Sequence, residues 1–287
     1  MKKWLLFLVA TGLVGIIGFA IGMAAGKFRH PAGNLAVVEI RGAIFESREI
    51  LGKLDDYLDD MQVKAIVLRI ESPGGAVGAA QEIYEAVLKA REQKPIVASI
   101  GSVGASGGYY IACAARKIFA NPGSVTGSIG VLMETMNVEQ LMAWAKLKPI
   151  TFKSGRLKDM GSGTRPITDE EAGLFHSLLE KLHQQFRTAV ATQRGLSNDQ
   201  ILHIADGRVY TGEEAKALNL IDELGGLSAA IDEAGRLANI TGKPKVIYPE
   251  RDHTGIIEYL FGAFASMSNL KLNGLSESLI PMFLWRA

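Results

Sequence analysis

Ile96-Val97-Ala98-Ser99-Ile100-Gly101-Ser102-Val103-Gly104-Ala105-Ser106-Gly107-Gly108-Tyr109-Tyr110 joins an apolar run of strand length to a glycine-rich turn that holds one serine. Such a turn displays a hydroxyl and lets the backbone approach a ligand closely, because glycine carries no Cβ. A serine is a weak nucleophile at neutral pH. It needs a base within hydrogen-bond reach and backbone N–H groups aimed at the developing oxyanion. On these residues alone, a displayed nucleophile and a plain tight turn fit equally well.

Outward from this stretch the same strand-like character recurs in Leu35-Ala36-Val37-Val38-Glu39-Ile40 and Ala65-Ile66-Val67-Leu68-Arg69-Ile70. Between them lies a helical pattern with Ile50, Leu51, Leu54, Leu58 and Met61 on one side. Ile83, Val87 and Ala90 give the next helix an apolar face, and Lys94-Pro95 stops it ahead of Ile96. Strand, helix and strand in succession predict an α/β fold. Tyr109 to Ala115 reads as a short helix, and Pro149-Ile150-Thr151-Phe152 as a further strand-like run. Residues 168–194 predict a long helix, with Thr168 and Glu171 at capping-box spacing and Phe175, Leu178, Leu179, Leu182 and Phe186 as its buried stripe. No solenoid repeat or low-complexity linker divides residues 31–252, which are expected to form one domain.

Lys and Arg total 31 against 30 Asp and Glu, a formal net charge of +1, with no basic block to follow a phosphate backbone. Nucleic acid is therefore not an expected partner. The single cysteine, Cys113, excludes an internal disulfide and fits a small buried hydrophobe. Five scattered histidines show no metal-ligand spacing, so neither a metal nor another cofactor is expected, and His176 and His183 read as helix-surface residues. Trp4 to Gly26 carries no charge over 23 residues. As a helix it would span about 34 Å, enough for a hydrocarbon core of about 30 Å. Residues 1–30 are thus expected to be a membrane anchor, a cleaved signal peptide being the alternative because Lys2-Lys3 makes a fair n-region. Lys27 and Arg29 balance those lysines and leave the orientation open. Residues 253–287 carry several Leu and Phe with Met282 and Trp285 among Ser and Asn, and read as a tail packed on the body or on a neighbouring subunit, a membrane-surface contact being the alternative.

Two more glycine-rich turns follow strand-like runs: Ser72-Pro73-Gly74-Gly75, and Thr126-Gly127-Ser128-Ile129-Gly130. In α/β sheets ligand groups collect at the carboxyl ends of strands, so Gly75 and Gly107 are candidate oxyanion donors. Gly104-x-Ser106-x-Gly108 formally fits a nucleophile elbow, which needs a later histidine. None of His176, His183, His203 or His253 sits in a glycine-bracketed loop, and the serine falls well past Ile100, beyond the expected strand end. A lysine from Lys153-Ser154-Gly155-Arg156-Leu157-Lys158-Asp159 fits better as the base, in a loop returning from the expected strand at 149–152 to the serine's edge of the sheet.

Taken in order, Ser72-Pro73-Gly74-Gly75, Ala105 to Tyr110, Thr126 to Val131, Lys153 to Asp159 and Asp206-Gly207-Arg208-Val209-Tyr210-Thr211-Gly212 resemble the short form of bacterial signal peptide peptidase A over about residues 35–250. The resemblance implies a ClpP/crotonase-like fold with repeated ββα units and a Ser/Lys dyad: Ser106 as nucleophile, Lys158 as general base, Ser128 positioning the lysine, and the Gly75 and Gly107 N–H groups as oxyanion hole. Lys153 is the fallback base. A lysine with its ordinary pKa of about 10.4 is protonated at pH 7, so this role requires a desolvated site. The family further implies cleaved signal peptides and other apolar peptides as substrates. It implies a ring-like homo-oligomer whose dyads can form across subunits, and a location in the bacterial cytoplasmic membrane with the catalytic domain outside. Glu71 stands where the family more often has a small polar residue, and is expected to alter a subsite edge. Asp206 to Gly212 is expected to be a structural turn ahead of a helix near Glu213. Three rivals remain: a related membrane serine protease acting on a stomatin-like partner, a crotonase-type acyl-CoA enzyme, and a non-catalytic scaffold.

Overall fold

In the computed structural model, residues 33–249 and the backbone of 282–284 are described. The expected anchor at 1–30 and most of the 253–287 tail lie outside the described residues. Among the described residues no helix is long and apolar enough to cross a membrane.

The three apolar runs form the centre of a mixed sheet. β1 (Leu35–Arg41) pairs in parallel with β2 (Ala65–Ser72), and β2 in parallel with β4 (Ile96–Ala105). Each carries apolar residues at nearly every position because both faces of the sheet are covered, as parallel sheets require. Alternate residues divide between two cores. Ala36, Val38, Ile40, Ile66, Leu68, Ile70, Ile96, Ala98 and Ile100 pack in one cluster with Ile83 and Val87 of α2 (Val77–Ala90), Tyr109 and Ile111 of α3 (Gly107–Ala112) and Phe186. Leu35, Val37, Ala65, Val67 and Val97 face the other way, against Ala230, Ile231 and Ala234. Each fully buried Ile, Leu or Val contributes about 1.5–3 kcal/mol of transfer free energy, so these runs fix register as well as fold.

α1 (Arg48–Asp59) links β1 to β2, and β3 (Gly74–Ala76) follows β2 immediately, so that β2, β3 and α2 form one ββα unit. Met61, expected on the buried side of α1, lies beyond its end and is 82% exposed. The edge of β4 is shared: β5 (Lys117–Ala120) pairs with Val97 to Ile100, and β6 (Val125–Gly127) with Val103 to Ala105. This places the ends of β2, β4 and β6 side by side. Residues 149–152 are not a strand; they sit in an exposed, irregular segment around α4 (Glu139–Trp144). Their alternation of Ile150 and Phe152 with polar neighbours has no pairing partner, since both side chains are exposed.

α5 (Asp169–Arg194) begins at Thr168 with the expected capping box. Its stripe is buried only toward the C-terminal half, at Phe186 and Val190, while Leu178 is exposed. After α6 (Asn198–Ile204), β7 (Val209–Thr211) runs antiparallel to β6, and Thr211 caps α7 (Gly212–Ala217), which makes 206–212 the structural turn its sequence suggests. β8 (Glu223–Leu224), α8 (Leu227–Leu237) and β9 (Val246–Ile247) complete the main sheet. β10 (Met282–Leu284) lies apart from it, antiparallel to β3.

Candidate active site

β4 does not stop at Ile100. It continues to Ala105 past an irregularity in its pairing with β2, where Ile70 pairs with Ile100 but Ser72 with Gly104. The carboxylate of Glu71 fills that irregularity, accepting from the Ser102 N–H at 2.8 Å and from Arg69 Nη2 at 2.5 Å. Glu71 therefore secures the junction of β2 and β4. Ser106 is the residue directly after the strand and directly before α3, contrary to the expectation that it lay well beyond a strand end.

The backbone of Ser106 has φ 52° and ψ −118°, a conformation that costs an L-residue about 1–3 kcal/mol. Strain of this kind persists where the surroundings over-determine it. Here the Ser106 N–H donates to Gly127 O at 2.8 Å, the Tyr110 N–H to Ser106 O at 2.8 Å, and Tyr109 anchors α3 by donating its hydroxyl to Leu220 O. The Ser106 side chain is 1% exposed, and its Oγ has no hydrogen-bond partner among the described residues. Buried hydroxyls normally find one.

Ser128 stands beside Ser106 at the same end of the sheet, because Gly127 pairs with Ala105. It is also buried, with φ 50°, and its N–H donates to Arg208 O at 2.8 Å. Gly75 lies on β3, whose inner edge is fixed by Ile44: the Ile44 N–H donates to Gly74 O and the Ala76 N–H to Ile44 O. A Cβ on Gly75 would stand 2.0 Å from Ile44 O, so only glycine fits. Gly107 is the first residue of α3. The structure thus brings Ser106, Ser128, Gly75 and Gly107 to one edge.

Lys158 is not brought there. It is exposed, on the irregular segment before α5, and its ammonium makes no ion pair or hydrogen bond among the described residues. Lys153, the fallback base, is committed elsewhere, donating to Asp159 Oδ1 at 2.6 Å and Arg156 O at 3.0 Å. Arg165 bridges Asp159 to Glu171, whose carboxylate also takes the Thr168 N–H of the α5 cap. Hydrogen bonds from Arg165 first and Lys153 second hold the Asp159 carboxyl well below the usual range. Arg165, followed by the Thr168 N–H, lowers Glu171 to about 2. This network, which sequence reasoning did not single out, fixes the loop that carries Lys158.

Among the described residues the histidines offer no alternative, and His203 is exposed. His176 is exposed, and His183 is more than a surface residue: its Nε2 lies 3.1 Å from Ile129 O and its Nδ1 3.3 Å from Arg187 Nη1, so both ring nitrogens are engaged. Cys113 is buried, and burial pushes its thiol up to about 12. No cluster of potential metal ligands occurs among the described residues.

The tail strand lies at this same edge. β10 pairs Met282 with Ala76, Phe283 with Gly75 and Leu284 with Gly74, and runs beside the starts of α2 and α3. An extended segment of the chain's own C-terminal part thereby occupies the outer edge of β3.

The family model described as peptidase family S49 matches residues 89–241, more than half of the chain, and that of the Clp protease matches residues 47–126. A Synechocystis protein whose name describes a protease is 34% identical over 248 residues, covering 86% of this chain and 90% of its own. The chloroplastic serine protease SPPA of Arabidopsis thaliana is 34% identical over 283 residues, 97% of this chain but 41% of the plant protein. An Enterococcus faecium protein named for the signal peptide peptidase SppA is 30% identical, over 98% of this chain and 94% of its own. On these matches, and with a mixed α/β sheet consistent with a ClpP-like fold, the chain belongs to peptidase family S49 and is a serine-type peptidase.

Proposed function

We propose that this peptidase is a membrane-anchored endopeptidase that cuts extended apolar peptides, including signal peptides released from exported proteins, on the outer side of the bacterial cytoplasmic membrane. Ser106 attacks the scissile carbonyl, Lys158 of a neighbouring copy takes its proton, Ser128 positions that lysine, and the Gly75 and Gly107 N–H groups receive the oxyanion. The acyl-enzyme is then released by water. The observation that carries the peptide reading is the tail strand: an extended stretch paired antiparallel across Gly75, beside the helix that Ser106 opens, in the manner of a bound peptide.

Assembly across copies rests on a mismatch of burial. Ser106 Oγ is buried without a partner, while Lys158 is exposed on a segment where Leu141, Trp144, Leu147, Ile150 and Phe152 also face solvent. A second copy seated on that segment covers the apolar side chains and desolvates Lys158, the condition for its ammonium to give up a proton near neutral pH. The related Enterococcus faecium protein's name supports the signal peptide as substrate class. The N-terminal apolar run, 23 residues without charge, supports the anchor. An acyl-CoA enzyme or a scaffold leaves the strained Ser106 unexplained.

The test uses the full chain and an apolar fluorogenic peptide. Ser106→Ala and Lys158→Ala are each expected to be inactive, and a mixture of the two to regain activity because intact sites form between unlike copies. An active Lys158→Ala variant rejects the base assignment, and a dead mixture of folded, co-assembled variants rejects assembly across copies.

A further inference from the structure

The two glycines that let a peptide approach β3 also leave it without a conformational preference of its own. Gly74 sits at φ 105°, a region that glycine enters freely and others avoid, so nothing in Gly74-Gly75 itself fixes where the Gly75 N–H points. An external restraint is required. Ile44 supplies it on the inner edge, through the Gly74 carbonyl and the Ala76 N–H.

Ser72 supplies the rest. It is the last residue of β2 and fully buried. Its Oγ donates to Gly42 O at 2.6 Å and accepts from the Gly74 N–H at 3.1 Å. Both capacities of the hydroxyl are therefore used, one on the β1–α1 connection and one on the Pro73–Gly74 peptide group, one group ahead of the one that carries the Gly75 N–H. Its carbonyl faces the other half of the site. A Cβ on Gly108 would come within 2.9 Å of Ser72 O, so the first turn of α3, which carries Gly107, is seated directly against Ser72. In the sheet Ser72 is paired with Gly104, two residues before the serine that opens α3.

We infer that Ser72 is a positioning residue: its hydroxyl anchors the Pro73–Gly74 peptide group, the stem from which Ile44, through the Gly74 carbonyl, aims the Gly75 N–H, and its main chain sets the distance between that donor and the Gly107 N–H. It touches neither substrate nor reacting atom. The inference rests on the reading of Gly75 and Gly107 as oxyanion donors. Its consequence is selective, because a misdirected donor weakens binding of the tetrahedral oxyanion more than that of the planar substrate.

The experiment compares full-length wild type with Ser72→Ala, Ser72→Cys and Ser72→Thr. Cysteine keeps the shape and loses most of the hydrogen bonding, so it serves where alanine fails to fold; threonine keeps the hydroxyl. Two quantities are read beside kcat and KM. One is the affinity for an apolar peptide aldehyde: Ser106 Oγ bonds to the aldehyde carbon, the C=O π pair becomes the oxyanion, and the hydroxyl proton passes to the base. The other is the affinity for a non-reactive peptide of the same sequence. Ala and Cys variants should lose about 10- to 100-fold in kcat with KM within two-fold, lose aldehyde affinity in parallel, and bind the non-reactive peptide as wild type does. Threonine should restore most of the loss. Unchanged aldehyde affinity in folded Ala or Cys variants overturns the inference, as does equal weakening of both ligands. Ser106→Ala serves as the control. If it is inactive while the Ser72 variants are normal, only the inference about Ser72 falls; if it remains active, the oxyanion reading falls with it.

Discussion

Replacing Ser106 should make the protein more stable as it makes it inactive. Two costs are concentrated at this residue. Its buried Oγ lacks a partner, which is worth about 1–3 kcal/mol for a desolvated hydroxyl. Its φ of 52° with ψ −118° holds a further 1–3 kcal/mol or so in the backbone. Ser106→Ala removes the first cost and keeps the second. Ser106→Gly removes both, less about 0.5–1 kcal/mol for the added freedom of glycine in the unfolded chain. Alanine should therefore stabilise by about 1–3 kcal/mol and glycine by roughly 1 kcal/mol more. This opposes the usual outcome at a buried site, a loss of about 1 kcal/mol. In thermal unfolding of the full chain each kcal/mol corresponds to about 2–4 °C for a protein of this size. The gain should be largest in a Lys158→Ala background, where no lysine from another copy can partner the hydroxyl. A lower melting temperature for Ser106→Ala in that background would refute the orphan-hydroxyl argument. A glycine variant no more stable than alanine would refute the backbone-strain part.

Lys153→Ala should keep measurable activity, reduced because Asp159 loses one of its two cationic partners, whereas Lys158→Ala should keep none; steady-state hydrolysis with the apolar peptide separates them. Deleting residues 275–287 should raise the rate on short peptides, since it frees the edge of β3 that β10 covers, and an unchanged rate would sink the idea that the tail strand holds a substrate's place. The Glu171 carboxyl lies at about 2 in the folded protein against an ordinary 4.5, chiefly through Arg165, so the stability it confers is complete above about pH 4.5 and lost as pH falls toward 2. Asp159 adds in the same direction. Arg165→Met should flatten that acid loss, measured as the urea midpoint against pH between 6 and 2.5.

How much of this was legible in the sequence follows from the range of the interactions involved. β1, β2, the first half of β4 and α5 are written in local patterns: continuous apolar runs, Lys94-Pro95 as a stop, and the Thr168/Glu171 capping box, which the structure reproduces bond for bond. The glycine turns gave the edge on which Ser106, Ser128, Gly75 and Gly107 meet, because each follows a strand. The extension of β4 to Ala105 was not legible. Gly101, Ser102 and Gly104 read as a loop, and what keeps them in the strand is the carboxylate of Glu71 from β2, together with β6, whose Thr126 hydroxyl donates to Gly104 O. Residues 149–152 failed for the converse reason: an alternating pattern without a neighbouring strand makes no sheet. The Lys153–Asp159–Arg165–Glu171 network joins residues up to 18 positions apart, with only its Glu171 end announced by the cap.

On the proposed reading the site is built in two halves with opposite physical characters, and the contrast bears on how such a peptidase would avoid indiscriminate cutting. Ser106, Ser128 and the two glycines are buried at the sheet edge, where strain and an orphan hydroxyl are held by surrounding strands and by Tyr109. Lys158 is carried by a segment tied to the body by the Arg165 network and otherwise open, with Trp144 82% and Phe152 93% exposed. Large side chains exposed to that degree on one short segment are what the proposed contact between copies would cover, and burying each is worth about 1.5–3 kcal/mol. On the proposed reading that free energy does two things at once: it drives association, and it removes water from Lys158, without which the ammonium keeps its proton and the hydroxyl remains inert. An isolated copy then holds a strained serine with no base and a β3 edge occupied by its own tail. The proposal then requires both restraints to be lifted before a peptide is cut, the first by assembly and the second by competition from a substrate that pairs with β3 better than Met282 to Leu284 do.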